Sequence, residues 1–315
     1  MKRSLRVVFV ALLLVVAVVV GGALYLLSYA LTPEVVRYSK NETSYAYMER
    51  KYPHIQPWID SLRGAEALRD TVIVRPDGVH LHALYAEAAR PTDKTAIIVH
   101  GYTDNAIRML MIGHLYHHAL GYNILLPDLY YHGESEGDAI QMGWLDRLDV
   151  KRWSEVAHER FGGATRQVVH GISMGAATTM MLSGEPLPAY VRCFVEDCGY
   201  TSVWEQFSKE LKGEFGLPTF PLLDVASLLC GWIHGWNFRE ASALAQVRKC
   251  HRPMLFIHGD SDDNVPTAMV YPLYEAKQGE KELFLVAGAD HANAYHLDPE
   301  AYTRRVAAFV GRTME

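Results

Sequence analysis

The chain is poor in cysteine, with four in 315 residues, and none of the four has the paired spacing of a zinc site. Cys193 and Cys198 lie five apart on a strand pattern, so they face opposite ways and are excluded as a bridge to each other. A Cys230–Cys250 bridge would need an oxidising compartment, and four buried small hydrophobes is the expectation. The chain also lacks a basic run beyond Lys2, Arg3 and Arg6, and its net charge is −6, which excludes a nucleic-acid partner. Internal repeats and low-complexity tracts are absent, which excludes solenoids and arrays. No cysteine follows the apolar N-terminus, so a lipoprotein-type attachment has no acceptor there. His114, His117 and His118 have no acidic or cysteine partner at ligand spacing and read as a solvated helix face. His80 and His82, on one strand face, read the same way. No metal and no cofactor is expected.

Half of the residues are hydrophobic, which suffices for one large α/β domain. From Val7 to Leu27 no residue is charged, and at about 1.5 Å per residue this run matches the ~30 Å hydrocarbon core of a bilayer. The expectation is a transmembrane anchor over 1–31, its N-terminus cytoplasmic because of the three basic residues before it. Ser28-Tyr29-Ala30 would serve as a cleavage site in the alternative reading, a secreted protein. A polar, tyrosine-rich connector follows over 32–70, with a helix from about Asn41 to Arg50. Pro76-Asp77-Gly78 then marks a hairpin between two alternating runs. Beyond it, apolar strands at 96–99, 122–126, 168–169, 191–195, 254–257 and 282–286 alternate with helical patterns, including Met142–Phe161 and Pro299–Val310. This rhythm predicts an α/β fold: a mostly parallel central sheet with helices on both faces. The aromatic-rich stretch at about 201–240 breaks the rhythm and predicts a small helical cap, its aromatics forming cap core or substrate contacts.

The segment Gly171-Ile172-Ser173-Met174-Gly175 follows an apolar strand and opens a helix, which is the context that makes Gly-x-Ser-x-Gly a nucleophile turn. Serine needs a base, and the base needs an orienting acid. In an open parallel sheet all three belong just past the carboxyl ends of strands. His258-Gly259-Asp260-Ser261-Asp262-Asp263 follows one strand, and Gly288-Ala289-Asp290-His291 follows the next. The chain order is thus Ser, Asp, His. For the acid, Asp260, Asp262 and Asp263 all stand in the right loop, and Asp290 is a further rival. Met174, the residue after the serine, would supply one backbone N–H to an oxyanion, and Tyr102, in the loop after 96–99, the other.

Four motifs in order carry a resemblance: His100-Gly101-Tyr102-Thr103, the Ser173 turn, His258-Gly259-x-x-Asp262-x-x-Val265-Pro266, and Gly288-x-x-His291. From about Thr71 to its C-terminus the chain resembles an α/β-hydrolase-fold serine hydrolase, similar to bacterial esterases and related in pattern to prolyl-oligopeptidase-type domains. The resemblance implies Ser173 as nucleophile, His291 as general base and Asp262 as orienting acid. It implies structural roles for His100 and for His132, where Tyr131 replaces the family's usual glycine. His296 reads as a surface-loop residue. The implied activity is cleavage of a small, apolar acyl ester through an acyl-enzyme. The alternatives are an acyl-peptide hydrolase and a non-catalytic binding protein on the same fold.

Overall fold

The computed structural model describes residues 2–37 and 41–315. Met1 of the N-terminal segment and residues 38–40 of the expected connector lie outside them. Among the described residues, eight strands form one sheet in the order β1-β2-β4-β3-β5-β6-β7-β8. They are β1 (Arg69–Val74), β2 (His80–Ala86), β3 (Lys94–Val99), β4 (Asn123–Pro127), β5 (Arg166–Ile172), β6 (Val191–Asp197), β7 (Met254–Gly259) and β8 (Lys281–Val286). The β1–β2 hairpin and the β2–β4 pair are antiparallel, and the others are parallel. The central strands are apolar at every step because both of their faces are covered. On β3, Ile97 and Val99 join one core cluster while Ala96 and Ile98 join the other. That is the two-residue alternation of a strand between two helical layers.

The principal helices are α1 (Lys2–Leu31), α2 (Asn41–Lys51), α3 (Gln56–Gly64), α4 (Asp146–Arg160), α5 (Met174–Ser183), α6 (Val203–Phe215), α7 (Leu222–His234) and α8 (Pro299–Thr313). α6 and α7 form the cap between β6 and β7. Their limits are written locally: Ser202 accepts the Glu205 N–H at the start of α6, and Gly216 and Gly235 end the two helices at φ 63° and 77°, as capping requires. Residues of the expected connector enter the core: Met48, Tyr52, Ile55 and Ile59 are buried with β4 and α8.

Two expectations change and one holds. α4 starts at Asp146, not Met142, because Met142 and Gly143 have φ 48° and 82° and the Asp146 carboxylate accepts the Gly143 N–H at 2.8 Å. All four cysteines are free and buried, as expected, and the alternative Cys230–Cys250 bridge is not formed. The histidine groups are not simple solvated faces. His82 is buried between the Asp128 and Asp70 carboxylates at 2.7 and 2.8 Å, and those bonds outweigh burial and raise its pKa. His117 is buried, with its ring nitrogens against the Trp58 indole N–H and the Glu87 carbonyl at 3.2 and 3.0 Å. In both cases a partner distant in sequence covers the imidazole.

Candidate active site

β5 runs at the centre of the sheet and ends in a turn too tight for side chains at its two glycines. A Cβ on Gly171 would stand 2.0 Å from the Gly175 carbonyl oxygen, and one on Gly175 would stand 2.1 Å from that of Val99. Between them Ser173 adopts φ 57°, ψ −119°, a conformation that costs an L-residue energy and persists only where its surroundings impose it. The turn aims the hydroxyl above the sheet and leaves Met174 as the first residue of α5, with a backbone N–H that has no partner within the helix.

The Ser173 Oγ lies 2.8 Å from His291 Nε2, and His291 Nδ1 lies 2.8 Å from Asp262 Oδ2. Each group leaves a different strand end: β5, β8 and β7. Asp262 is buried, and its other oxygen accepts the Asn264 and Val265 N–H groups at 3.0 and 2.9 Å. Burial alone would raise its pKa; hydrogen bonds from His258 and His291 prevail and hold it well below the usual carboxylate range. Asp260 instead accepts the Gly288 N–H at 2.7 Å and the Ser261 hydroxyl at 3.1 Å. Asp263 and Asp290 are exposed. Of the four acids in these loops, Asp262 is the one that meets His291.

The loop after β3 passes beside the serine, since a Cβ on Gly101 would touch the Ser173 Cβ at 3.4 Å. Tyr102 and Thr103 therefore line the space above Ser173. The Tyr102 hydroxyl donates to the Ala30 carbonyl at 2.8 Å, and burial pushes its pKa up to about 12. His100 is buried and accepts the Leu129 N–H at 2.9 Å. His132 is buried beside it, with Nδ1 2.9 Å from the Tyr130 carbonyl oxygen. Tyr131 has φ 67°, the left-handed conformation that a glycine there would adopt freely.

Behind the site lies a second layer that sequence reasoning missed. Glu196 and Asp197, at the end of β6, are buried. Burial pushes Glu196 up to about 8, against the pull of His258 and of the Gly199 N–H that it accepts at 3.0 Å. Burial likewise raises Asp197 to about 6, opposed by the Tyr302 hydroxyl, 2.9 Å away. No motif in the sequence singles these acids out, and only the packing of β7 and α8 reveals them. Cys198 Sγ stands within 4.8 Å of the Asp262 and His291 ligand atoms, but burial drives its pKa well up, so it is a neutral thiol beside an acid–base pair.

A cavity of about 810 Å³ opens above Ser173. Its walls include Phe207, Glu210, Glu214 and Phe215 of the cap, Met142, Tyr200 and, unexpectedly, the last turns of α1 from Tyr25 to Ala30. The one sequence signal for that wall is the pair Tyr25 and Tyr29, which interrupts an aliphatic run.

The model of the prolyl oligopeptidase family matches residues 146–315. The uncharacterized protein YqkD of Bacillus subtilis (strain 168) is 32% identical over 226 residues, 72% of this chain and 74% of that protein. The uncharacterized protein Rv2307c of Mycobacterium tuberculosis is 25% identical over 248 residues, 78% of this chain and 80% of its own. Among solved structures, the esterase Pf2001 of Pyrococcus furiosus superposes with a TM-score of 0.66 at 24% identity, covering 81% of this chain and 96% of that one. An alpha-beta serine hydrolase homologue from Coxiella burnetii gives 0.54 at 15% identity, over 76% of this chain and 96% of its own. With its eight-stranded sheet and cap, the chain belongs to the prolyl oligopeptidase family of α/β-hydrolase-fold serine hydrolases.

Proposed function

We propose that this protein is a membrane-anchored serine hydrolase that cleaves an ester or related acyl bond, with Ser173, His291 and Asp262 as its catalytic residues. One observation carries the reading: the unbroken Ser173–His291–Asp262 hydrogen-bond chain, 2.8 Å at each link, at the base of a cavity whose walls are largely apolar. His291 removes the hydroxyl proton as Oγ bonds to the carbonyl carbon. The Met174 and Tyr102 N–H groups receive the developing oxyanion. Collapse breaks the bond to the leaving group, which takes the proton from His291, and an acyl-serine remains. Water, deprotonated by His291, then attacks the acyl carbon, and the serine recovers its proton as the acid departs. Asp262 stays ionised throughout and holds His291 in the required tautomer.

The domain reading is an anchor at 1–31, a connector at 32–70 and a hydrolase domain at 71–315 capped at about 201–240. Ser4–Val36 is long and apolar enough to cross a membrane. Retention of the anchor is supported by Ala23, Leu27 and Leu31, which are buried in the core. It is also supported by the end of α1, whose Ala30 and Leu31 carbonyls accept from Tyr102 and Ile140 at 2.8 Å each. Cleavage after Ala30 would remove a wall of the cavity. The basic Lys2, Arg3 and Arg6 before the span support a cytoplasmic N-terminus and a catalytic domain on the other side. Ester cleavage is preferred to peptide cleavage because aromatic and aliphatic side chains, Phe207, Phe215, Met142 and Leu223 among them, form much of the cavity wall.

A panel of p-nitrophenyl esters of increasing chain length, run beside acyl-peptide substrates, tests the choice. Turnover of the esters with little peptide cleavage is expected, and the reverse ranking would replace the esterase reading with the peptidase one.

A further inference from the structure

The packing of the cap against α1 has a consequence for where the substrate comes from. From Ser4 to Val18 every side chain of α1 is exposed, and burial against the domain begins at Val19. The uncharged run, however, continues to Leu27. If Val7–Leu27 fills the ~30 Å hydrocarbon layer, residues 19–27 lie inside the membrane while packed on the cap. The contact is close: a Cβ on Gly22 would stand 3.2 Å from Leu222 Cδ2, at the first turn of α7. Gly22 lies about 7 Å below the end of the run at 1.5 Å per residue. The first turn of α7 and Phe220 just before it therefore lie at hydrocarbon depth.

The surface of the cap fits that depth. Phe220 and Trp232 are each 75% exposed, Ile233 57% and Leu228 52%. Single exposed apolar residues are ordinary, but this group is concentrated in one helix and its leading turn, beside the span, which marks an interaction surface. Asp224 on the flank of α7 is paired with Arg239 at 3.1 Å. The cavity wall includes Tyr25 and Tyr29, both more than half exposed on α1, and the cap's Phe215 packs edge-on against Tyr29 at 5.5 Å. The opening toward Ser173 between α1 and the cap thus lies at the edge of the hydrocarbon, where the Tyr29 hydroxyl donates to Glu214 at 3.5 Å.

We infer that α7 and Phe220 are immersed in the same leaflet as the end of α1, and that the cavity draws its substrate sideways from the bilayer as a lipid acyl ester. This rests on the anchored-hydrolase reading and names its substrate class. An acyl chain already in the leaflet reaches the cavity without crossing water, so the cost of exposing it to water is avoided.

The full-length protein in phosphatidylcholine vesicles provides the test. In Phe220→Trp, the emission added by the new indole is quenched by phosphatidylcholine brominated at mid-chain and spared by aqueous acrylamide. The opposite pattern overturns the immersion. Phe220→Asp places a charge in hydrocarbon, so turnover of vesicle-borne p-nitrophenyl palmitate falls by roughly tenfold or more. Turnover of soluble p-nitrophenyl acetate stays within about twofold, because Phe220 lies outside the cavity wall and an exposed substitution leaves the fold intact. An equal fall for both esters overturns the lateral route. Bromolipid quenching in a protein that hydrolyses neither ester and reacts with no fluorophosphonate would leave the immersion standing and overturn the hydrolase reading instead.

Discussion

Ser173 holds a backbone conformation that only its surroundings can impose, and its neighbours divide into residues the sequence announces and residues it hides. Ser173 and His291 are legible because each follows a strand in a recognisable turn. Asp262 is one of several acids in its loop; its place in the His258-Gly259-x-x-Asp262-x-x-Val265-Pro266 motif favours it, and its 2.8 Å contact with His291 separates it from Asp260 and Asp263. Ser173→Ala removes the nucleophile and is expected to lower kcat/KM by roughly 10³-fold or more. Asp262→Asn keeps the shape but favours the wrong imidazole tautomer, and a loss of about 10³–10⁴-fold in kcat is expected. Steady-state ester hydrolysis with each purified variant checks both, and a tenfold effect or less from Asp262→Asn would remove that residue from its assigned role. Glu196 was invisible to sequence reasoning. Unfolded, it titrates near 4.5, and folded it keeps its proton up to about 8. The native state binds the proton more tightly, so this contribution to stability is full below the unfolded value and is lost as pH rises through about 8. Glu196→Gln cannot ionise, so its Tm is expected to fall less between pH 6 and 9 than that of the native protein. Parallel Tm curves would show that Glu196 does not titrate in this window.

At the scale of elements, the strands and the serine turn were legible because fully covered parallel strands are uniformly apolar and turns are marked by glycine. The start of α4 was not, because Gly143 and Asp146 form a turn whose partner, Thr178, comes from α5. The positions of His82 and His117 were also hidden, since a single strand or helix does not reveal what covers it. The β5–α5 turn has no room for a methyl group. Gly175→Ala would force its Cβ toward the Val99 carbonyl at 2.1 Å, and a loss of at least about 2 kcal/mol is expected. A urea midpoint within error of the native value would contradict this packing. The Tyr102 hydroxyl ties the loop beside Ser173 to the end of α1, so Tyr102→Phe is expected to cost about 1 kcal/mol of stability while leaving the backbone N–H available to the oxyanion.

For the whole molecule, the least legible feature was the union of the N-terminal helix with the catalytic domain. Sequence separates a hydrophobic run from a globular fold, because length and charge speak of bilayers and not of docking. In the structure the last turns of α1 fill the core through Ala23, Leu27 and Leu31, and they wall the cavity through Tyr25 and Leu26. A chain lacking residues 1–31 is therefore expected to melt well below the full-length protein in the same detergent, and to lose its preference for long acyl chains. An unchanged Tm would show that α1 is only a tether. These larger claims all depend on Ser173 being an activated nucleophile, and a fluorophosphonate probe reads that property directly, whatever the natural substrate. The native protein should be labelled covalently at Ser173 and the Ser173→Ala variant should not. A native protein that resists the probe, or labelling that survives the substitution, would contradict the account.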